Sequence, residues 1–330
     1  MTEQTTTEQA AAQARPGRRL AVRAEHIRDY GILVVIAVLF AALSIGSSHF
    51  LRTDNLLNLL YENAQVGIAA CAVTPVILAG NFDLSLGSIY ALTGVLAADA
   101  ANDWGVGWGI IVPLVAGAAL GVVNGVLVSK LRINTFLATL ATSLAFGGAA
   151  VAISGGLLIQ VSKSSFLVLG QDGVGSVQYS VIVFVAVAVI LQLVMSRTVF
   201  GRHCYGVGGN PRAARLSGLR TDRYVIATFT IGGLGAGLAG LLNASATGSG
   251  DSSSGTTLAL TAIAAVALGG TSIFGGVGAV WRTVIGVLVL ALIVNGFDLL
   301  GVAAFYQDIV EGALIVVAVA VSSLAQSRDR

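Results

Sequence analysis

Long apolar runs separated by short polar loops constrain this chain more than any other feature. Ten such runs approach the length of about 20 residues that a helix needs to cross a bilayer, and they cover residues 31–45, 62–79, 84–100, 108–129, 134–153, 177–196, 224–246, 256–272, 279–298 and 304–323. Charged residues make up 10% of the chain, against about 25% in soluble domains. The sequence therefore predicts an all-α, polytopic membrane protein of about ten transmembrane helices.

Two of these runs are less regular than the others. Residues 84–100 and 256–272 are short and contain several polar side chains. Irregular backbone is tolerated inside a membrane only where protein or water covers it. We therefore expect broken or re-entrant helices in these two places. Around the transmembrane domain, residues 30–323, we expect a mostly disordered tail over residues 1–29 and a second tail over residues 324–330.

The charges are distributed unevenly between alternate loops. Lys130 and Arg132 follow the fourth run, and six arginines follow the sixth: Arg197, Arg202, Arg212, Arg215, Arg220 and Arg223. The acidic residues Asp54, Asp99, Asp103, Asp172 and Asp251 fall in the other set of loops. Because basic loops remain in the cytoplasm, this pattern predicts a multi-pass protein of the plasma (inner) membrane, embedded in lipid, with both termini cytoplasmic.

Glycines recur at helical spacing in two of the runs. Gly117, Gly121 and Gly125 share one face of the fourth, and Gly233 and Gly237 share one face of the seventh. Helices in lipid associate through small residues that let their backbones approach. The pattern predicts close helix packing at these positions.

Motifs of catalysis are absent from the sequence. It contains no GxxxxGK[ST] phosphate-binding loop, and its three histidines are scattered. Cys71 and Cys204 lie in unrelated segments and are expected to be reduced structural thiols. We expect a transport protein that is not an enzyme and that binds no cofactor, metal or nucleic acid.

Three strings go beyond composition. They are GNFDLSLGS at Gly80–Ser88, FGRHCYGVGGNPRAARLSGL at Phe200–Leu219, and ALGGTSIFGGVG at Ala267–Gly278, which VNGFDLLGV at Val294–Val302 follows. Together they resemble the permease subunits of ATP-binding-cassette (ABC) importers for ribose and related simple sugars, over about residues 30–323. The resemblance implies import of a monosaccharide or related small polyol. It also implies a homodimer, a separate cytoplasmic ATPase that binds the ATP, and an extracytoplasmic solute-binding protein.

The basic loop, about residues 197–223, is the most specific of the three. Its arginines can contact anionic lipid, and Pro211 suits the first turn of a short helix. With the resemblance added, we expect a coupling helix that docks into the ATPase, oriented by Arg212 and Arg215. The expected coupling residues are Gly208, Gly209, Asn210, Arg212, Ala213, Ala214, Arg215, Ser217 and Gly218.

The other strings place small and polar residues at breaks between spans. Asp83 is interpreted either as the N-cap of the third span or as a residue that lines the transport pathway. The residues expected at a pathway or helix break are Asn81, Asp83, Ser85, Gly269, Gly270 and Asn295.

Two alternatives remain open on the sequence alone. One is a related permease for another small solute, such as branched-chain amino acids. The other is an ion-coupled secondary carrier that acts without an ATPase. A carrier of that kind usually has a carboxylate near the middle of the membrane, and none is clearly placed there.

Overall fold

The computed structural model describes residues 16–303 and, beyond them, residues 305–307, 309, 310, 312, 313, 316 and 320, with side chains from residue 31 onward. Residues 1–15 of the expected N-terminal tail, much of the tenth predicted span and the tail 324–330 lie outside the described residues.

The described chain is a bundle of helices. Its helices are α1 Pro16–Gly46, α2 Thr53–Glu62, α3 Ala64–Leu78, α4 Leu86–Trp104, α5 Val106–Ser129, α6 Thr135–Ser154, α7 Ser164–Gln171, α8 Tyr179–Arg197, α9 Val199–Gly209, α10 Pro211–Leu216, α11 Thr221–Thr247, α12 Leu258–Leu268 and α13 Val280–Leu299. Four two-residue strands lie in the loops: β1 Ile159–Gln160, β2 Gly173–Val174, β3 Val177–Gln178 and β4 Ser249–Gly250. Strand β1 pairs antiparallel with β4, and β2 with β3, so the all-α expectation holds for the bundle but not for these loops.

Helix α11 forms the centre of the bundle and contacts α3, α4 and α5. Its contact with α5 confirms the packing predicted from the glycines. A Cβ on Gly117 or Gly121 would lie less than 3.0 Å from the α11 backbone, and a Cβ on Gly233 or Gly237 equally close to the α5 backbone. Helix α3 is also central, because all of its residues except Val66 are buried.

The outer helices expose their apolar side chains. In the most apolar 18-residue stretch of α5, α6 and α8, only 22–28% is buried, whereas 67% of the corresponding stretch of α11 is buried. Exposed residues such as Val115, Leu144 and Val185 form surfaces that a water-soluble monomer does not present. Five described helices are long and apolar enough to span a membrane, and six spans result if α2 and α3 form one. The protein is therefore a multi-pass membrane protein.

Several predicted boundaries differ from the structure. Helix α1 begins at Pro16, inside the segment expected to be a tail. The second predicted span, residues 62–79, corresponds to α3, and the helix before it, α2, was not predicted; the two meet at Asn63 with a bend of 44°. Residues 84–100 were expected to be broken, but α4 is continuous over Leu86–Trp104. Helix α12 is short, as expected for residues 256–272.

The bundle has two ends of opposite character, which we call the basic end and the acidic end. Lys130 at the end of α5, Arg197 at the end of α8 and Arg215 in α10 lie at the basic end, where Asp222 of α11 contacts both Lys130 and Arg215. At the acidic end, the Asn102 side chain joins the end of α4 to Gln160 and Ser162. Asp103 and Asp172 are exposed there.

Candidate functional site

The short helix α10 lies at the surface of the basic end. Asn210 caps its start, since its side chain accepts a hydrogen bond from the Ala213 N–H at 2.9 Å, and Pro211 occupies its first turn. Gly218, with a φ of +83°, follows its end. The short helix that Pro211 predicted is therefore present, whereas the cap by Asn210 was not predicted.

Helix α10 has one face toward the bundle and one away from it. Ala214 is buried and belongs to the main hydrophobic core. Arg212 and Ala213 are exposed, as is Ser217 just past the helix, and the Leu216 side chain is 84% exposed. Burial of this exposed apolar side chain by a partner protein would be favourable.

Arg215 holds α10 to the bundle. Its Nε donates a hydrogen bond to Thr221 Oγ1 at 2.8 Å, and its guanidinium lies 3.6 Å from Asp222. Lys130 lies 3.4 Å from the same carboxylate. Arg212 and Arg215 were expected to act together; in the structure Arg215 contacts the start of α11, whereas Arg212 is exposed.

Glycines from all three sequence strings meet directly beside α10, at what we call the glycine junction: Gly80, Gly208, Gly209, Gly275 and Gly276. The Gly276 N–H donates a hydrogen bond to the carbonyl of Leu78 at 2.9 Å. A Cβ on Gly208 would lie less than 3.0 Å from that same carbonyl. One on Gly275 would lie 2.8 Å from Gly80 Cα, and one on Gly276 2.7 Å from Gly209 Cα. The end of α9 thus contacts both the end of α3 and the loop between α12 and α13.

Asp83 lies in the short connection between α3 and α4 and is fully buried. Its Oδ1 accepts hydrogen bonds from the Ser85 N–H at 3.0 Å and the Ser85 hydroxyl at 2.6 Å. The first of these closes an Asx turn just before α4. The N-cap of α4 is Ser85, so Asp83 is not the helix cap that one interpretation of the sequence suggested. Asn81 makes a local hydrogen bond to the Ala79 carbonyl at 3.2 Å.

Sequence reasoning missed the third member of this cluster, Asn124 of α5. Its Nδ2 donates a hydrogen bond to Ser85 Oγ at 2.6 Å. Asp83 Oδ2 and Asn124 Oδ1 are buried and have no hydrogen-bond partner among the described residues. A lone amide inside an apolar span is itself a signal, because such residues bond across helices or mark functional sites.

The remaining predicted break residues belong to helix packing. Gly269 ends α12, and a Cβ there would lie less than 3.0 Å from the Arg282 carbonyl in α13. Gly270, with a φ of +80°, turns the chain after α12. Asn295 exchanges two hydrogen bonds with Asn55, at 3.1 and 2.9 Å, and so joins α13 to α2.

We expect Asn295→Ala to destabilise the protein by about 1–2 kcal/mol, because it leaves Oδ1 of the partly buried Asn55 without a donor, although its Nδ2 keeps its bond to the Phe50 carbonyl. The change should lower the melting temperature in detergent by a few degrees. The double variant Asn55→Ala/Asn295→Ala should lose less stability than the sum of the losses in the two single variants. Strict additivity of the two melting-temperature shifts would contradict the pairing.

The two cysteines are buried, as expected. Burial raises the pKa of the Cys204 thiol in α9 to about 12. Because the thiolate is the reactive form, the folded protein should not react with a maleimide at pH 7, whereas it should react once denatured. The variant Ser217→Cys, at an exposed position past α10, should react in the folded state. Fast labelling of the native protein would contradict the burial of its thiols.

Within the described ranges, no group of three or more His, Cys, Asp or Glu side chains is placed to hold a metal ion. The groups brought together at the basic end include cations, the carboxylate of Asp222, small residues and the exposed leucines Leu131 and Leu216. Such a surface can bind a partner protein and transmit its movement.

Comparison with known proteins agrees with this description. The family model for "Branched-chain amino acid transport system / permease component" matches residues 55–319. The ribose import permease RbsC of Escherichia coli (strain K12) is 36% identical over 315 residues, which are 94% of this chain and 98% of the relative. RbsC of Bacillus subtilis (strain 168) is 38% identical over 299 residues, 89% of this chain and 92% of the relative. The L-arabinose ABC transporter permease AraH of Azospirillum brasilense is 34% identical over 305 residues, 92% and 90% of the two chains. No solved structure matches the chain.

Proposed function

This chain belongs to the family of permease components of binding-protein-type transport systems, and we propose that it is the membrane-spanning subunit of an ABC importer for a monosaccharide or a related small polyol. Its partners are a separate ATPase subunit, which binds the ATP, and an extracytoplasmic solute-binding protein. The permease carries no ATPase site or cofactor of its own.

The arrangement of α10 supports this proposal best. The basic end faces the cytoplasm under the positive-inside rule, so Leu216 and Arg212 are presented to an ATPase there. Helix α10 follows directly on the glycine junction, which contacts the end of α3 and the loop between α12 and α13. A movement of α10 is therefore passed by backbone contact to two other segments of the bundle.

The proposed transport cycle uses these contacts. The loaded binding protein docks at the acidic end, outside the cell, and ATP binding closes the ATPase on the cytoplasmic side. Helix α10 moves with the ATPase, and the glycine junction shifts the connection that contains Asp83 and Ser85. Access to the pathway then changes from one side of the membrane to the other.

The finer topology is part of the same proposal. Ten spans place the N- and C-termini in the cytoplasm, and two copies of the chain surround the pathway. The exposed apolar faces of α5, α6 and α8 are then shared between lipid and the second copy. An even number of spans is supported by the separation of basic from acidic loops.

The substrate class is inferred from the relatives. The curated relatives described above are named for ribose and L-arabinose and match about nine-tenths of this chain. The family description names branched-chain amino acids instead, which keeps an amino-acid permease as the second candidate. An ion-coupled carrier is the third.

One experiment separates these candidates. The tagged chain is purified in a mild detergent, its partners are identified by mass, and the complex is reconstituted in liposomes with radiolabelled D-ribose, L-arabinose or L-leucine. We expect an ATPase with nucleotide-binding motifs to co-purify and sugar uptake to require ATP. Uptake of L-leucine alone would indicate the amino-acid permease. Uptake driven by an ion gradient without any ATPase would overturn the importer.

A further inference from the structure

A cavity of about 240 Å³ lies at the acidic end, between α2 and the segment that runs from the β2–β3 turn into the start of α8. Six polar residues line it, Thr53, Asp54, Asn58, Tyr61, Ser176 and Gln178, together with the apolar residues Leu57, Val177 and Val181. It is far along the chain from every segment at the basic end, and none of the residues discussed there lines it. At about 30 Å³ for each water molecule, its volume corresponds to about eight waters.

The α2 side of the cavity is a single helix face. Asp54, Asn58 and Tyr61 are spaced by four and three residues and so lie above one another. The other side of α2 is fixed to the bundle, since Leu59 is buried in a core with residues of α13 and Asn55 pairs with Asn295. The polar face is therefore held toward the cavity.

The opposite wall is the hairpin of β2 and β3. Gly173 pairs with Gln178, and a Cβ on Gly173 would lie less than 3.0 Å from the Val177 carbonyl, so glycine is needed for this close pairing. Gln178 lines the cavity, although its Oε1 is enclosed by protein and is not itself accessible from the cavity.

The lining favours a neutral ligand that is rich in hydroxyl groups. Amide, carboxylate, phenol and hydroxyl groups together offer both donors and acceptors, and each hydroxyl of a sugar can act as either. None of the residues lining the cavity is cationic; Arg52 precedes it in the chain without lining it. The carboxylate of an amino acid would therefore meet Asp54 and no opposite charge.

We propose that this cavity binds one monosaccharide or small polyol at the extracytoplasmic mouth of the permease. The assignment rests on the proposed function for its orientation and for the class of substrate. In the transport cycle, the cavity receives the sugar that the binding protein releases. It also makes the permease itself selective for a polyhydroxylated solute over an amino acid.

The direct test is binding to the permease alone, in lipid nanodiscs, measured by saturation-transfer NMR with D-ribose, L-arabinose, ribitol and L-leucine. The sugars or the polyol should give signals, and L-leucine should not. Gln178→Leu and Asn58→Leu should each weaken the signal about fivefold, the effect of one lost hydrogen bond. Gln160→Leu is the matched control, because Gln160 is exposed at the same end and does not line the cavity. An absent sugar signal, or equal signals from Gln178→Leu and Gln160→Leu, would overturn the proposal.

A second measurement separates this cavity from the importer as a whole. Capture of the sugar-free binding protein by the permease should be the same for Gln178→Leu and Gln160→Leu, and both should retain their partners during purification. Loss of capture with Gln178→Leu would make the cavity a protein-docking surface and would overturn the sugar site. If sugars bind the wild type but uptake does not depend on ATP, the proposed importer function is refuted, whereas the proposal that this cavity binds sugar is retained.

Discussion

Gly208→Ala is expected to prevent the chain from forming a stable bundle, whereas Gly206→Ala is not. Both glycines lie in α9, where alanine ordinarily stabilises a helix by about 0.5–1 kcal/mol. A Cβ on Gly206 would have no atom within 4 Å, but one on Gly208 would overlap with the carbonyl oxygen of Leu78 and lie 2.8 Å from the Gly276 nitrogen. These are backbone atoms, which cannot rotate away.

The cost at Gly208 follows from what must move. The Leu78 carbonyl accepts the hydrogen bond from Gly276 that closes the glycine junction. Separating α9 from α3 therefore breaks that bond and loosens core packing, at a cost of about 3 kcal/mol or more. We expect a large fall in melting temperature for Gly208→Ala, measured by size-exclusion chromatography after heating. Gly206→Ala should be unchanged or slightly more stable, and similar melting temperatures for the two variants would refute the junction as described.

The spans could largely be predicted because length and apolarity decide them locally. Helices α5, α6, α8, α11 and α13 begin and end within about three residues of the predicted runs. Helix α2 was missed because Asp54, Asn55 and Asn58 interrupt its apolar pattern. Of these polar residues, Asn55 has its partner in α13, and the other two line the cavity at the acidic end.

The local elements of the candidate site could be predicted from the sequence, but the contacts between distant segments could not. Pro211 predicts the start of α10 from adjacent residues alone. The contact of Gly208 with Leu78 joins positions about 130 residues apart in the sequence. A glycine in a sequence does not indicate which helix it will contact. Asn124 illustrates the same limit, since only the fold brings it to Ser85.

The burial of Ala214 and the exposure of Leu216 separate two roles within α10. Ala214 packs α10 against the core, so a bulky replacement such as Ala214→Phe would displace α10 from the bundle. Leu216, by contrast, is 84% exposed and contributes little to the stability of the permease alone. Only a partner can bury it. Changes at these two positions therefore test two things independently: the packing of α10 on the core and its proposed docking to the ATPase.

Leu216→Ser is expected to weaken the association with the ATPase about 30-fold while leaving the isolated permease as stable as the wild type. Burying a leucine in an interface contributes about 2 kcal/mol, and every 1.4 kcal/mol is about tenfold in affinity. ATP-driven uptake should fall with it, measured in liposomes at limiting ATPase. The control is Leu157→Ser, since Leu157 is 74% exposed in a loop at the acidic end, away from any cytoplasmic partner. If both variants bind the ATPase as the wild type does, α10 is not the docking helix, and the movement that drives transport must enter the bundle elsewhere.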